Sequence, residues 1–136
     1  MIFIYRNQQI EDANALNFQN QDEKITIIEK EEGEHTAQSD QVELYDVIDG
    51  SGALTFESET AFAVCNNIPV TAEGRTEFEA RFKSRARMVE NEPGFIAIRV
   101  LRPHHADTYI VLTIWSSEET FKTWQTSKAY EHAPLS

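Results

Sequence analysis

The segment that most restricts the fold is residues 61–70 (AFAVCNNIPV), which alternates regularly. Its even-numbered side chains from Phe62 to Ile68 point one way, and its odd-numbered side chains from Ala63 to Asn67 point the other way. Such alternation predicts a strand, and apolar residues on both sides predict that both faces are covered. Pro69 comes late, which is typical of a strand end or a sheet edge. We therefore expect a sheet with protein packed on each side.

The elements that follow this strand come in a recognisable order. Apolar residues recur at near-helical spacing from about residue 73 to 89, and Pro93-Gly94 ends that helix. Residues 95–102 and 108–115 predict two strands joined as a hairpin. Ser116 begins a last helix, with Glu119 completing a capping box. Strand, helix, strand, strand, helix is the order of a ferredoxin-like βαββαβ unit without its final strand, so the predicted class is α+β.

Residues 1–60 form a second, less regular part. Residues 2–5 and 25–28 predict short strands, residues 29–40 predict a polar loop, and residues 42–48 fit either a strand or a short helix. The run DGSG at 49–52 breaks the pattern and places a boundary near residues 49–60. We expect a smaller acidic half at 1–60, αβ or all-β, that packs on the sheet of the ferredoxin-like unit at 61–136.

Charge is unevenly distributed over these two parts. Residues 1–60 carry three basic and 14 acidic side chains, whereas residues 61–136 carry nine of each, for a net charge of −11. This acidic surplus argues against nucleic acid and anionic membrane as partners. No apolar run approaches the roughly 20 residues of a membrane-spanning helix, and Arg6 comes too early for a signal peptide, so a cytoplasmic location is expected. The single cysteine, Cys65, excludes an internal disulfide and a zinc site built from clustered cysteines.

Several fragments of the second part jointly resemble a known family. The fragments are NNIPVT followed by Gly74, EPGF, RVLRP, TYIVLTIW and FKTWQTS. They resemble the antibiotic-biosynthesis-monooxygenase (ABM) superfamily, and within it they are most similar to the bacterial heme-degrading monooxygenases. The resemblance spans residues 61–133, and the divergent first half is similar to a longer subgroup whose two halves pack as a pseudo-dimer. It implies a dimeric α/β-barrel type of fold, in a monomer with pseudo-dimeric halves or in a homodimer.

The same resemblance implies an activity. Heme would be substrate and cofactor at once, and the enzyme would open the porphyrin oxidatively and release iron, with electrons from an external donor. Asn67 matches an asparagine that orients the oxygen ligand or the substrate, and Trp124 matches a tryptophan that presses on the porphyrin. A hydrogen bond to the backbone is the alternative for Asn67, and spacing alone makes Trp124 a core residue. If both residues are functional, their side chains form the two walls of one apolar slot that holds a flat aromatic molecule.

The family's axial histidine is absent from its expected position. That position, ten residues after Trp124, is Pro134, which cannot ligate iron. His132 is the nearest substitute, but on a regular helix residues 132 and 134 point roughly 200° apart. Because Pro134 ends the helix near His132, a frayed last turn would let His132 act as the metal ligand that binds the heme iron. The alternative is a solvated histidine near a helix C-terminus.

Two further features have open interpretations. Arg81 and Arg85, on a basic helix face, are candidate partners of the heme propionates, unless pairs such as Glu77 with Arg81 make that face a solvated one. The position of the missing strand is filled by the N-terminal strands, by a second copy, or by residues of a longer chain. Without the family's histidine, two other functions stay open: a cofactor-free ABM oxygenase acting on a quinol-like aromatic compound, and a non-catalytic heme-binding or regulatory protein.

Overall fold

Seven strands of the described residues form one antiparallel sheet, and two helices pack on it. The structure is a computed structural model that describes residues 1–8, 10, 15–30, 42–54, 60–85 and 89–126, with the side chains of residues 83–85 outside the description. The strands are β1 Ile2–Arg6, β2 Leu16–Gln19, β3 Lys24–Glu29, β4 Val42–Ser51, β5 Phe62–Pro69, β6 Phe95–Pro103 and β7 Thr108–Trp115. The helices are α1 Arg75–Arg85, after a 3₁₀ turn at Ala72–Gly74, and α2 Glu118–Gln125.

The elements predicted from residue 61 onward are confirmed, with shifted ends. Strands β5, β6 and β7 lie where the alternation predicts them, and the α+β, ferredoxin-like class is confirmed. The capping box of α2 is one residue later than predicted. The Ser117 hydroxyl accepts the backbone N–H of Thr120, and the Thr120 hydroxyl accepts the backbone N–H of Ser117. The residue three positions after the N-cap is thus Thr120, which contributes a hydroxyl. The predicted pair, Ser116 and Glu119, does not form the capping box.

The first part of the chain is more regular than predicted. Strands β1 and β3 confirm the predictions at 2–5 and 25–28, and β2 is a strand that the sequence pattern does not predict. Residues 42–48 are strand, and β4 continues to Ser51, so the predicted break begins at Gly52 rather than at Asp49. A bulge between Val47 and Asp49 absorbs the irregular step without ending the ladder. The predicted loop lies outside the described residues from residue 31 onward.

The two parts of the chain have related strand orders. The sheet order is β2-β3-β1-β4-β6-β7-β5. In the second part, β7 lies between β5 and β6, so the order is first strand, third strand, second strand. In the first part, β3 lies between β1 and β2, and β4 flanks β1, so the same order is present with a fourth strand added. The first part therefore repeats the strand order of the second part.

Strand β4 joins the two parts. It pairs with β1 on one side and with β6 on the other, in a ladder that runs from Tyr45 opposite Pro103 to Ser51 opposite Ile98. The N-terminal strands thus extend the sheet beside β6, and β5 lies at the opposite end of the described sheet. The explanation that the N-terminal strands fill the missing position beside β5 is therefore wrong.

Both faces of the central strands are buried. The inner cluster consists of Ile2, Ile4, Ile27, Tyr45, Ala97, Leu101, Ile110, Leu112 and Ile114. The helix-side cluster, beneath α1 and α2, consists of Phe82, Val89, Ile98, Val100, Val111, Trp115 and Trp124. Strands β2 and β5 are at opposite ends of the strand order, yet they line one cleft. The sheet is therefore curled, with the inner cluster on its concave side. Burial on two faces explains the nearly continuous apolar sequence of β6 and β7.

A partly buried charge pair links the two parts across the sheet. Arg99 of β6 is 8% exposed and binds Glu29 of β3, with 2.7 Å from Nε to Oε2 and 3.2 Å from Nη2 to Oε1. Its Nη1 atom also donates to the carbonyl oxygens of Ile98, at 2.8 Å, and Ser51, at 3.1 Å. Four hydrogen bonds to a single guanidinium compensate for its removal from water.

Candidate functional site

Helix α2 places a tryptophan in the middle of the helix-side cluster. The capping box fixes the start of the helix, so that Phe121 and Trp124 fall one turn apart on its apolar side. Trp124 is 2% exposed and stacks on Trp115, with ring centroids 5.3 Å apart and planes inclined by 30°. The Trp115 indole N–H in turn donates to the Thr113 hydroxyl at 3.1 Å. Trp124 is therefore a buried aromatic side chain facing the sheet.

Two neighbouring asparagines on β5 lie on opposite faces of the sheet. Phe62, Val64 and Ile68 pack against the helix-side cluster, and Asn66 shares their parity. Asn67 is exposed and lines the cleft on the other face together with Ala63 and Cys65. The side chain on the same face as Trp124 is thus the half-buried amide of Asn66.

The predicted slot between Asn67 and Trp124 is therefore not formed, and that prediction is corrected. The sheet itself separates the two side chains, because successive residues of a strand point to opposite faces. The asparagine on the Trp124 face is Asn66, to which the sequence analysis assigns no role. A signal for it was present, since Asn66 has the parity of the bulky residues Phe62, Val64 and Ile68, whereas Asn67 has the parity of the small residues.

Of the other predicted heme contacts, the structure describes the side chain of Arg81 only, and it is solvated. Arg81 has a 59% exposed side chain and pairs with Glu77 at 3.4 Å, which is the i,i+4 interaction expected for a solvated helix face. Arg85 is the last residue of α1, and its side chain lies outside the description. His132, with its predicted role as iron ligand, also lies outside the described residues. In the part of the chain that is described, no group of three His, Cys, Asp or Glu side chains could hold a metal ion.

A charged network attaches α1 to the sheet beside the helix-side cluster. The Glu79 carboxylate accepts hydrogen bonds from the Tyr109 hydroxyl and from the Arg102 guanidinium. Arg75 lies over the Tyr109 ring, 5.5 Å from its centroid. Burial, followed by the hydrogen bond to Glu79, raises the pKa of Tyr109, and the same carboxylate raises the pKa of Arg102. Tyr109 is thus held neutral as a donor, which fixes α1 without supplying a free acid or base.

The opposite face carries a cleft of about 610 Å³ between β2, β3 and β5. Arg6 lies in it and binds Glu43 at 2.5 Å and Glu23 at 3.3 Å. These contacts raise the pKa of Arg6, with the Glu43 hydrogen bond as the largest cause. Burial raises the pKa of Cys65 to about 11, so that its thiol is protonated at neutral pH. Cys65 is therefore not an activated nucleophile.

Comparisons with known proteins relate both the sequence and the fold to other chains. Residues 61–133 match the family described as antibiotic biosynthesis monooxygenase (ABM). Two curated relatives, from two strains of Mycobacterium tuberculosis, are named heme oxygenase (mycobilin-producing). Each is 43% identical to this chain over 65 residues, which is 47% of this chain and 62% of the relative. The match therefore spans less than two thirds of those relatives.

Solved structures resemble the whole described arrangement. The structure of a major regulator of staphylococcal pathogenesis has a TM-score of 0.80 at 19% identity, covering 98% of this chain and 86% of the other. A heme-degrading enzyme from Listeria monocytogenes has a TM-score of 0.69 at 16% identity, covering 96% and 84%. These likenesses show a shared fold that includes the first half of the chain.

One negative finding concerns the helices. Neither α1 nor α2, the helices found within the described ranges, has the length and hydropathy needed to cross a membrane.

The family match covers more than half of the sequence and coincides with the ferredoxin-like unit that starts at β5. The chain therefore belongs to the antibiotic biosynthesis monooxygenase family.

Proposed function

We propose that this protein is a heme-degrading monooxygenase that opens the porphyrin oxidatively and releases iron. The observation that carries the proposal is the 43% identity to the mycobacterial proteins named heme oxygenase. The layer between α2 and the sheet supports it, because stacked indoles are suited to the faces of a flat aromatic macrocycle. Heme is the substrate, and its iron supplies the oxygen chemistry with electrons from an external donor.

We assign two residues of the helix-side layer to this reaction. The Trp124 indole packs against the porphyrin, excludes water from it and imposes its bulk on the ring. The Asn66 amide is a polar group on the same face of the sheet, so it orients the reacting side of the substrate by hydrogen bonding. We do not assign this role to Asn67, since its side chain lies on the other face. His132 is the candidate axial ligand.

Heme binding in this layer requires α2 to move. Trp124 is 2% exposed and in contact with Trp115, so a porphyrin reaches its face only when α2 separates from β7. The chain has two tryptophans, and both lie in this stack. Heme binding should therefore quench nearly all of the tryptophan fluorescence.

The decisive experiment follows heme by absorbance. Stoichiometric heme should give a Soret band distinct from that of free hemin, and ascorbate in air should then remove this band and release iron to a chelator. Asn66→Ala should slow the loss of the band by about a hundredfold to a thousandfold, the range found for removal of one positioned hydrogen-bond donor. Asn67→Ala is the matched variant one residue away, and it should keep the wild-type rate. A free-hemin spectrum at stoichiometric protein would refute the proposal.

His132→Ala tests the axial ligand separately. If His132 binds the iron, the variant should shift the Soret band and weaken heme binding while the tryptophan stack stays intact. A spectrum that is identical to that of the wild type would assign the ligand elsewhere. Stable heme binding without degradation in the presence of ascorbate would instead identify a heme-binding protein without catalysis.

A cofactor-free oxygenase acting on a quinol-like aromatic compound is the second candidate. The observation that favours it is Pro134, which occupies the place expected for the axial histidine and cannot ligate iron. The same two side chains, Trp124 and Asn66, would then hold a smaller aromatic guest. Oxygen uptake with quinols in metal-free buffer, combined with no Soret shift on heme addition, would favour this function over heme degradation.

A further inference from the structure

A threonine hydroxyl lies in the middle of the helix-side cluster. Strand β7 directs Val111, Thr113 and Trp115 to this face of the sheet, and Thr113 is 0% exposed. Its neighbours across the sheet are apolar, since it lies opposite Val64 of β5 and Ile98 of β6. A hydroxyl in such surroundings needs a hydrogen-bond partner to compensate for its removal from water.

The partner of this hydroxyl is the indole of Trp115. The Nε1 atom of Trp115 donates to the Thr113 hydroxyl at 3.1 Å, and both side chains are 0% exposed. Apolar burial is non-directional, so it selects the orientation of an indole only weakly. A hydrogen bond is directional and requires the N–H edge of the ring to face its acceptor. Thr113 therefore fixes the orientation of the Trp115 ring.

Trp115 in turn supports helix α2. Its ring centroid is 5.3 Å from that of Trp124 and 5.8 Å from that of Phe121, with planes inclined by 30° and 62°. Both of these rings belong to α2. Stacked and edge-to-face arrangements each depend on the direction in which the shared ring points. A rotation of Trp115 would therefore displace both aromatic side chains of the helix.

The two indoles of the stack behave differently when heme enters. This step rests on the proposed function, in which a porphyrin reaches the layer only when α2 separates from β7. Strand β7 is paired with β5 on one side and with β6 on the other, so Trp115 stays with the sheet. Trp115 then loses its stacking partner Trp124, but its hydrogen bond to Thr113 lies within β7 and is retained. Thr113 thus holds the sheet side of the heme site in one orientation.

We propose that Thr113 is a positioning residue for heme degradation. Its hydroxyl fixes the Trp115 indole, and the Trp115 ring aligns both the porphyrin and the Trp124 indole that presses on it. Thr113 acts through Trp115 and has no chemical step of its own. Its removal therefore affects the geometry of the bound porphyrin more than the affinity for it.

Three variants separate this role from a contribution to stability alone. Thr113→Val keeps the shape of the side chain but leaves the buried indole N–H without its acceptor. Thr113→Ser restores the hydroxyl. Thr26→Val is the matched control, because Thr26 is 3% exposed and donates to the Asn17 side chain at 2.7 Å, on β3 of the first part. It removes a comparably buried threonine hydroxyl away from the indoles.

The first measurement needs no heme. Both tryptophans of the chain lie in the stack, with their rings close enough for their electronic transitions to couple. Circular dichroism should therefore show an indole exciton couplet in the wild type. Thr113→Val should lose most of this couplet, whereas Thr113→Ser and Thr26→Val should keep it. A Thr113→Val protein with the wild-type couplet would overturn the proposal.

The second measurement follows heme degradation with ascorbate in air. Thr113→Val should lower kcat by about tenfold and change the Kd for heme by less than about twofold, because a misplaced ring impairs alignment rather than contact. Thr113→Ser should recover the wild-type kcat, and Thr26→Val should retain it. Wild-type kcat in Thr113→Val, or an equal loss of kcat in Thr26→Val, would overturn the proposal.

A measurement on the wild-type chain decides the matter if Thr113→Val does not fold. Diamagnetic gallium protoporphyrin is the probe, and NMR follows exchange of the Trp115 indole N–H with D₂O, with Trp124→Phe used to assign the two indole signals. The Trp115 N–H should exchange equally slowly with and without the probe, and acceleration by about tenfold or more would show that the hydrogen bond is not retained. Failure of the proposed function is distinguishable, because it appears as a free-hemin spectrum with the wild-type protein.

Discussion

Replacing Arg99 with methionine should destabilise the whole domain. Met replaces the unbranched stem of the arginine side chain but removes both hydrogen bonds to Glu29 and both bonds to carbonyl oxygens. Breaking a buried pair by removing one partner costs about 3–5 kcal/mol. The Glu29 side chain is 35% exposed, so water reaches the remaining carboxylate and the cost falls at the lower end. We expect a loss of about 3 kcal/mol from a total of about 5–15 kcal/mol.

Urea denaturation followed by tryptophan fluorescence measures this loss. With an m-value of about 2 kcal/mol per M, the midpoint should fall by about 1.5 M. Arg81→Met is the matched control, because it removes the exposed pair with Glu77, and its effect should stay below about 0.5 kcal/mol. The double variant Arg99→Met with Glu29→Gln should recover part of the loss. A midpoint shift for Arg99→Met no larger than that of the control would refute the assignment of Arg99 as a buried link between the two parts.

Three further outcomes follow from single positions. Gly94→Ala should lower stability by more than about 1 kcal/mol in thermal unfolding, because Gly94 has φ +82° and an added Cβ would meet Thr120; an unchanged melting temperature would contradict this geometry. Ser117→Ala should cost about 1 kcal/mol through loss of the capping box, measured in the same way, whereas Ser117→Asp should restore most of it. Burial raises the pKa of Cys65 from 9.0 to about 11, so the unfolded chain loses the thiol proton first. The free energy of unfolding should therefore fall between pH 9 and pH 11 by about 1 kcal/mol per pH unit, relative to a Cys65→Ala variant that lacks this dependence.

Local patterns predict most of the second part of the chain. Alternation identifies β5, β6 and β7, and helical spacing identifies α1, because each signal is contained within a few neighbouring residues. The ends of elements are less well predicted, since they depend on which hydroxyl caps a helix. Ser116 and Ser117 have the same chemistry, and it is the position of the Thr120 hydroxyl that selects Ser117.

The first part depends on contacts that the sequence pattern does not express. Strand β2 has four residues and pairs with β3, so its stability comes from the sheet rather than from its own composition. The extension of β4 through Asp49 and Gly50 depends on pairing with β6, which lies about fifty residues further along the chain. Glycine at position 50 is favoured there, because an added Cβ would lie 2.9 Å from Cδ of Arg99 and 3.0 Å from the Ile98 carbonyl oxygen.

The candidate site also depends on contacts that the local sequence pattern does not fully specify. Parity along β5 separates Asn66 from Asn67 correctly, but parity does not say which face of a strand carries the helices. The bulk of Phe62, Val64 and Ile68 supplies that information, because large apolar side chains fill the layer beneath α1 and α2. The resemblance to the family identified an asparagine and a tryptophan, and the structure distinguishes which of the two asparagines shares a layer with Trp124.

The repetition of one strand order within a single polypeptide changes how substitutions act. In a symmetric homodimer every substitution occurs twice, once in each protomer, so neither copy can specialise. Here the two equivalents are separate stretches of sequence, and a change in one leaves the other untouched. One half can accumulate carboxylates, with 14 acidic side chains among residues 1–60, while the other keeps the charge-balanced helices and the indole stack. A chain that carries its own counterpart can therefore develop an asymmetry that a homodimer cannot.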